Sequence, residues 1–361
     1  VSPGRRRLLL ALAALPWAAK AQVRRGAVLA FPRDHGAHLG TRTEWWYATG
    51  WLGTEAAPTH GFQVTFFRSR TGLAEGNASR FAARQILFAH AAVTALAERT
   101  HRHDSRLQRW SGDAGAADGF ASVTGGDVRI GGWRLRDEGA AWHAVLDGSQ
   151  IALDLVLTRT QPLLLQGEAG WSRKGPDERQ ASHYYSEPQL AARGRIGHAS
   201  AAAATAAGRA WLDREWSDEY LHPDAVGWDW MGMNLFDGSA LTVFVLRCRD
   251  GSALWAGGSF RGSAAAGAAV RAFEPGEVRL TPGRRWRSPD SGASYPVQWQ
   301  LQTPAGAFEL RALLDTQELD SRASTGTIYW EGLSELLDGG GRRVGLGYLE
   351  MTGYAAPLKM A

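Results

Sequence analysis

Asp-Gly-Ser occurs three times, at Asp147, Asp237 and Asp250, each time ahead of an apolar segment, and this punctuation constrains the fold more than any other feature of the chain. Asp-Gly is a type I′ hairpin signal because both central residues accept positive φ. Runs at Phe62 to Phe67, Gln85 to Val93, Trp142 to Leu146, Ile151 to Leu157, Leu241 to Leu246, Tyr295 to Leu301 and Phe308 to Leu313 alternate at period two or are short and continuously apolar. No long stretch carries helical periodicity. Hairpins that meander without crossover helices predict an all-β fold of antiparallel barrels or sandwiches. The 361 residues are roughly two domains' worth by the prior of 100 to 200 each, and 44% hydrophobic content is enough for real cores. The expected organisation is a leader at 1–21, a first barrel with a preceding loop at 22–216 and a second barrel at 217–361, each of about eight strands. The alanine-rich stretches 201–207 and 264–269 read as loops or a single helical turn.

The first residues carry an export pattern. Arg5-Arg6-Arg7 followed by Leu8 to Leu15 has the basic and short apolar regions of a signal peptide, and Ala19-Lys20-Ala21 offers a cleavage site before Gln22. The adjacent arginines also suit twin-arginine export. Export to the periplasm or beyond is the expected localisation. Removing 1–21 takes away Arg5, Arg6, Arg7 and Lys20 and no acid, so the formal charge of +4 falls to neutrality. A neutral chain offers no basic face, so nucleic acid is not an expected partner. Cys248 is the single cysteine and reads as a small core hydrophobe.

Carboxylates embedded in aromatic runs carry the chemistry: Glu44-Trp45-Trp46-Tyr47, Trp211-Leu212-Asp213-Arg214-Glu215-Trp216, Gly227-Trp228-Asp229-Trp230, Tyr329-Trp330-Glu331-Gly332 and Tyr348-Leu349-Glu350. Trp is costly to leave in water and an ionised carboxylate costly to remove from it, so five such places need a common explanation. The reading is an apolar pocket with acids in its wall, a cup inside each barrel. If 211–216 is extended, Trp211, Asp213 and Glu215 share one face while Leu212, Arg214 and Trp216 take the other. Adjacent acids raise one another's pKa. Asp229 falls on the face of Met231, Met233 and Leu235, opposite Trp228 and Trp230.

These motifs, together with Phe31-Pro32-Arg33-Asp34-His35-Gly36-Ala37-His38, Gln63 to Arg68, Ser182-His183-Tyr184-Tyr185-Ser186 and Gly347 to Tyr354, resemble the AttH-like branch of the carotenoid 1,2-hydratase (hydroxyneurosporene synthase) family from about Phe31 to Tyr354. The resemblance implies a tandem of lipocalin-like, streptavidin-type β-barrels and, in the hydratase branch, addition of water to a terminal isoprenoid double bond without a cofactor. It implies Asp213, in the context Trp211-Leu212-Asp213, as proton donor, with His183, Tyr184 and Tyr185 orienting the acid or the attacking water. Hydration of an unactivated alkene requires a carboxyl kept neutral by desolvation and aromatic faces to tolerate a tertiary cation.

Glu44, Trp46, Trp211, Glu215, Asp229, Trp230 and Glu331 are the remaining candidates for ligand contact. Structural roles stay open for the same acids: an ion pair of Arg214 with Asp213 and Glu215 at the junction of the barrels, or acids satisfied by backbone or indole N–H groups, Glu350 included. His35 and His38 beside Asp34 and Glu44 read as packing residues rather than a metal site, His90 as a satisfied core histidine, and Ser172 to Lys174 as a loop. Hydrolase motifs are missing: no Gly-x-Ser-x-Gly, His-Glu-x-x-His or P-loop. Three functions remain: an exported binding protein for an apolar isoprenoid or lipid, with an envelope transport system and peripheral membrane contact as candidate partners, a cofactor-independent hydratase, and an envelope hydrolase.

Overall fold

The computed structural model describes residues 23–73, 75–77, 79, 81–113, 119–197 and 205–358, so the leader lies outside the described residues. Two large sheets, antiparallel throughout, form the molecule. The first has thirteen strands, eleven of which run in the order Thr100–Trp110, Gln85–Ala95, Pro58–Arg70, Thr43–Gly53, Thr205–Ser217, Ala181–Gly197, Ala152–Thr158, Ala141–Asp147, Trp133–Asp137, Asp127–Ile130, Gly119–Ala121, while Leu164–Leu165 and Trp171–Arg173 pair with Ala181–Gly197. Its two ends meet, so that the sheet nearly closes into a barrel. The second has ten strands, nine of them in the order Val270–Phe273, Ala253–Arg261, Ala240–Cys248, Ala225–Leu235, Arg343–Met351, Ile328–Leu337, Gly306–Ala312, Gln298–Thr303, Arg279–Pro282, with Glu318–Asp320 pairing Ile328–Leu337. It curls around a core of its own without pairing its two edges. The fold is all-β and lipocalin-like. Among the described residues helix is confined to three short 3₁₀ turns, one of them at Ala264–Ala266 in the second alanine stretch. Of the first stretch, 205–207 begin a strand and 201–204 are not described.

All three Asp-Gly-Ser sites do join antiparallel neighbours, but not through type I′ turns. At Gly238 (φ 88°) and Gly251 (φ 85°) only the glycine is left-handed. The preceding aspartate accepts from the backbone N–H and hydroxyl of the following serine, at 2.9 and 2.6 Å in both turns. Gly238 N–H donates to Leu235 O and Leu235 N–H to Ser239 O, the pattern of a type I turn with a glycine bulge. A side-chain acceptor thus supplies what a second positive φ was expected to supply. At Gly148 the acceptor is remote: Asp104 accepts from Ser149 Oγ, Gln150 N and Ile151 N.

Period-two alternation sorts the side chains. Trp46, Ala48, Leu52, Phe62, Val64, Phe66, Leu87, Leu155 and Leu212 fill the inside of the first barrel, and Met231, Met233, Leu241, Val243, Tyr295, Leu349 and Met351 the inside of the second. These interiors are packed with side chains rather than hollow, which corrects the expectation of a cup in each. The opposite faces meet back to back, with Tyr47, Trp51, Trp211, Trp230, Phe244, Leu333 and Tyr348 forming a third apolar cluster between the sheets. Polar stitches hold that junction: Gln189 N–H donates to Asn234 Oδ1 at 2.8 Å, Asn234 Nδ2 to Ala210 O at 3.1 Å, and Thr94 Oγ1 to Gln317 Oε1 at 2.8 Å. Gln189 sits at φ 58°, where a bulge breaks the register of its strand.

Candidate functional site

A cavity of about 450 Å³ lies between the two sheets. The first sheet contributes Trp45, Tyr47, Phe67, Phe88, His90, Asp213 and Glu215, the second Trp228, Trp230, Tyr329, Glu331 and Glu350, and the link between the sheets contributes Tyr220. These positions coincide because each strand turns one face to its own core and the other to the opposing sheet. Leu212 and Arg214 point into the first barrel, which sends Asp213 and Glu215 to the cavity, as extended backbone over 211–216 requires.

Asp213 is buried and closely held. Its Oδ1 accepts from Ser186 Oγ and from Trp211 Nε1, and its Oδ2 from Tyr184 OH, each at 2.6 Å. Both hydroxyls are fixed as donors to Asp213, because each already accepts an N–H: Trp230 Nε1 to Tyr184 at 3.1 Å, Gln166 Nε2 to Ser186 at 2.8 Å. Gln166 Oε1 accepts in turn from Ser259 Oγ of the second sheet at 2.7 Å. One lone pair on Oδ2 is left for a proton. Burial pushes this carboxyl up, the three donors pull it down, and the balance rests at about 7.

Glu215 pairs with Lys174 Nζ at 2.9 Å and accepts from Ser182 Oγ; burial nonetheless raises its pKa. The ammonium is enclosed by Phe244 at 4.1 Å and Tyr184 at 4.7 Å from the ring centroids. On the facing sheet Glu331 and Glu350 are directly opposed on adjacent strands. Burial raises Glu331 well above the carboxylate range, with Glu350 adding to it, and burial raises Glu350 to about 7 against a hydrogen bond from Trp228. Four acids therefore face one apolar space, and among the described residues a single cation, Lys174, pairs with any of them. Two buried polar atoms here complete no hydrogen bond of ordinary geometry among the described residues, Tyr47 OH and Glu331 Oε1, although the two side chains lie close enough to influence each other. His90 closes one side, its Nδ1 2.9 Å from Tyr329 OH and its Nε2 2.8 Å from Ser324 Oγ.

The expected residues divide. Asp213, Glu215, Trp230 and Glu331 line the cavity, and Trp211 and Tyr184 hold Asp213 from behind. His183 and Tyr185 alternate away from it, correcting their expected role. His183 tilts against Trp216 and accepts the Arg24 N–H at 3.3 Å, while Tyr185 OH meets His35 Nδ1 at 2.6 Å. Glu44 and Trp46 are also inside the first barrel, not on the cavity. Glu44 is fully buried between Arg68 and Arg214, accepts the His38 N–H at 3.0 Å, and is held well below the carboxylate range by the two guanidiniums. Arg214 therefore serves Glu44 and not Asp213 or Glu215, while also lying 3.9 Å over the Trp46 ring. Asp229 is inside the second barrel, 2.7 Å from Arg247 Nε and 3.0 Å from Tyr354 OH. His38 stacks on Trp216 at 3.8 Å.

Lys174, Ser182, Ser186, Gln166, Tyr47 and His90 were not expected here. A period-two reading from Tyr184 would have found Ser182 and Ser186. Lys174 carries no such signal, since it enters from a short strand's end that reads as a loop.

The AttH-like family model matches residues 22–354. Among solved structures the chain is similar to one described as an AttH candidate from Nitrosomonas europaea, with 42% identity, TM-score 0.82, and coverage of 92% of this chain and 99% of that one. It also shares its fold with kievitone hydratase from Nectria haematococca, at 14% identity and TM-score 0.67 over 91% of this chain and 94% of that one. A further fold relative is CghA in complex with Sch210972, at 13% identity and TM-score 0.54 over 88% and 89%. No curated protein matches the sequence at a significant level. The chain belongs to the AttH-like family.

Proposed function

We propose that this protein adds water across an electron-rich carbon–carbon double bond of an apolar ligand held between its sheets, with Asp213 as the proton donor. The observation that supports this reading is the gathering of four carboxyls, three of them buried and Glu350 half-buried, around one apolar cavity with one paired ammonium. A pocket that only had to hold hydrocarbon would gain nothing from buried acids, each of which costs solvation. A general acid works best with a pKa near the working pH, and Asp213 sits at about 7. Its proton passes to one alkene carbon using the π electrons. The neighbouring carbon becomes a cation, which Trp45, Trp228, Trp230 and Tyr220 surround, and each well-placed ring face is worth about 0.5 to 2 kcal/mol. A water oxygen then forms the C–O bond and gives up one proton, so the alcohol is the only product and no cofactor is called on. The shared fold with a protein named kievitone hydratase is in keeping with this chemistry.

The test is incubation of purified protein with an acyclic C40 polyene or squalene in ¹⁸O-water. The expected product is the ¹⁸O-alcohol, with Asp213→Asn slowing its formation about 100-fold or more. Equal rates in the variant remove Asp213 from the mechanism. A carrier for an isoprenoid or lipid, exported and delivering to an envelope system, is the second reading. The stacked Phe67 and Phe88 rings at 4.6 Å, beside Ile86 and Leu107 in the cavity wall, favour it. A carrier retains the unchanged hydrocarbon in native mass spectrometry and incorporates no ¹⁸O.

A further inference from the structure

The chemistry above leaves the second half of the reaction unassigned, namely what holds the water and takes its proton. We propose that Tyr47 and the Glu331–Glu350 pair form the water site, with Tyr47 OH and Glu331 Oε1 holding the nucleophilic water and the paired carboxyls, sharing one proton, accepting the proton it releases. This inference rests on the hydration reading.

Two independent observations lead there. The first is an unmet demand. Tyr47 OH and Glu331 Oε1 are buried, border the same cavity and lie close enough to influence each other, yet neither completes a hydrogen bond of ordinary geometry to any described residue. Such groups cost about 1 to 3 kcal/mol each unless something polar meets them. The rest of the lining near them is satisfied: Asp213 by three donors, Glu215 by Lys174 and Ser182, Tyr329 by His90. A water between Tyr47 and Glu331 answers both orphans at once.

The second is register. Tyr47 lies directly opposite Asp213 on the neighbouring strand of the first sheet. Glu331 and Glu350 lie directly opposite each other on the second. Cβ atoms of directly opposed residues are about 4.5 to 5.5 Å apart, and like charges so placed repel. With no cation paired to either among the described residues, the two carboxyls hold a single proton between them in place of two charges. The donor therefore works from one sheet and the base from the other, with the ligand between. The protons balance. Asp213 gives one to carbon, the attacking water gives one to the glutamate pair, and the pair returns it to Asp213 to reset the site.

Two experiments test this. With ligand, in deuterated water, Asp213→Asn is expected to lose both hydration and deuterium exchange into the alkene. Tyr47→Phe and the double variant Glu331→Gln/Glu350→Gln are expected to slow hydration about 100-fold while keeping exchange, because protonation survives when capture fails. Hydration at the parental rate in the double variant overturns the proposal and leaves the role of Asp213 standing; a parent protein with neither exchange nor hydration overturns the hydration reading itself. Without ligand, the infrared band of protonated carboxyls separates a shared proton from two private ones. A shared proton predicts that the double variant Glu331→Gln/Glu350→Gln removes one carboxyl's worth of that band at pH 7, and loss of two carboxyls' worth shows that the pair holds two protons and shares none.

Discussion

Two regions of this molecule bury carboxylates against tryptophan, and they do opposite things with them. Inside the barrels Glu44 lies between Arg68 and Arg214, and Asp229 against Arg247. Between the barrels Asp213 and Glu331 are buried and Glu350 half-buried, with no cation paired to them among the described residues. The same residue types in the same kind of sequence therefore yield a fixed charge in one place and an exchangeable proton in the other. What decides is how much positive charge shares the burial: Glu44 has two guanidiniums, whereas Asp229, with Arg247 alone, is still pushed up by burial to about 6. Charge held between two guanidiniums stays put, as the depressed Glu44 carboxyl shows; charge that is only hydrogen-bonded by neutral donors, as at Asp213, is lost to a proton near neutral pH.

The sharpest way to break this comparison is to neutralise one acid of each kind. Glu44→Gln strands two buried guanidiniums and is expected to lose about 3 to 5 kcal/mol in urea unfolding at pH 8, because breaking a buried ion pair leaves uncompensated charge. Asp213→Asn should go the other way. A carboxyl raised from 3.8 to about 7 holds its proton longer in the folded state, so the unfolded chain releases first as pH climbs. Its contribution to stability is whole below the unfolded value and disappears by about pH 7. The variant should therefore gain about 3 kcal/mol on wild type between pH 5 and pH 8. The wild-type profile alone cannot be used for this, since His90, pushed by burial to about 3, favours the folded state as pH rises through the unfolded histidine range. The difference between the two proteins isolates Asp213. A flat difference across that range would show that the carboxyl is ionised in the folded protein throughout.

How much of this could be read in the chain follows from the range of each interaction. Strand faces are local: alternation alone places Asp213 and Glu215 opposite Arg214, and Asp229 opposite Trp228 and Trp230, and the structure has them so. Which of the two faces meets the other sheet is not local. Glu44 and Glu331 sit in equally aromatic runs, and only the docking of the two sheets sends one into a barrel and the other to the cavity. The hollow lies outside the barrels for the same reason, since it exists only where the outer faces of the two sheets dock, with lining residues from Trp45 through Asp213 and Trp228 to Glu350. The resemblance brings His183 and Tyr185 into the expected site together with Tyr184, whereas a strand separates neighbours and unites residues two apart, which is why Ser182 and Ser186 hold the acids instead. Lys174 was legible least of all, because nothing in its own segment marks an ammonium that ends up buried beside Glu215.

His90 offers the smallest effect and the most local test of how the two regions are joined. Ser324 Oγ donates to Ser321 O at 3.1 Å, so it receives the His90 Nε2 proton, and Nδ1 is left to accept from Tyr329 OH. Neutral at ordinary pH, the imidazole works as a fixed strut from the first sheet to the loop 321–327 of the second, along one wall of the cavity. His90→Leu keeps the volume and removes both bonds. The expected loss of global stability is about 1 kcal/mol, because Tyr329 and Ser324 border the cavity and water can replace the imidazole there. Amide exchange should rise in 321–327 and stay unchanged in Thr205–Ser217, whose ladder is flanked by paired strands on both sides. Unchanged exchange in the loop would mean that the apolar contacts around Trp211, Trp230 and Phe244 hold the sheets together unaided, and that His90 is present for the ligand rather than for the junction.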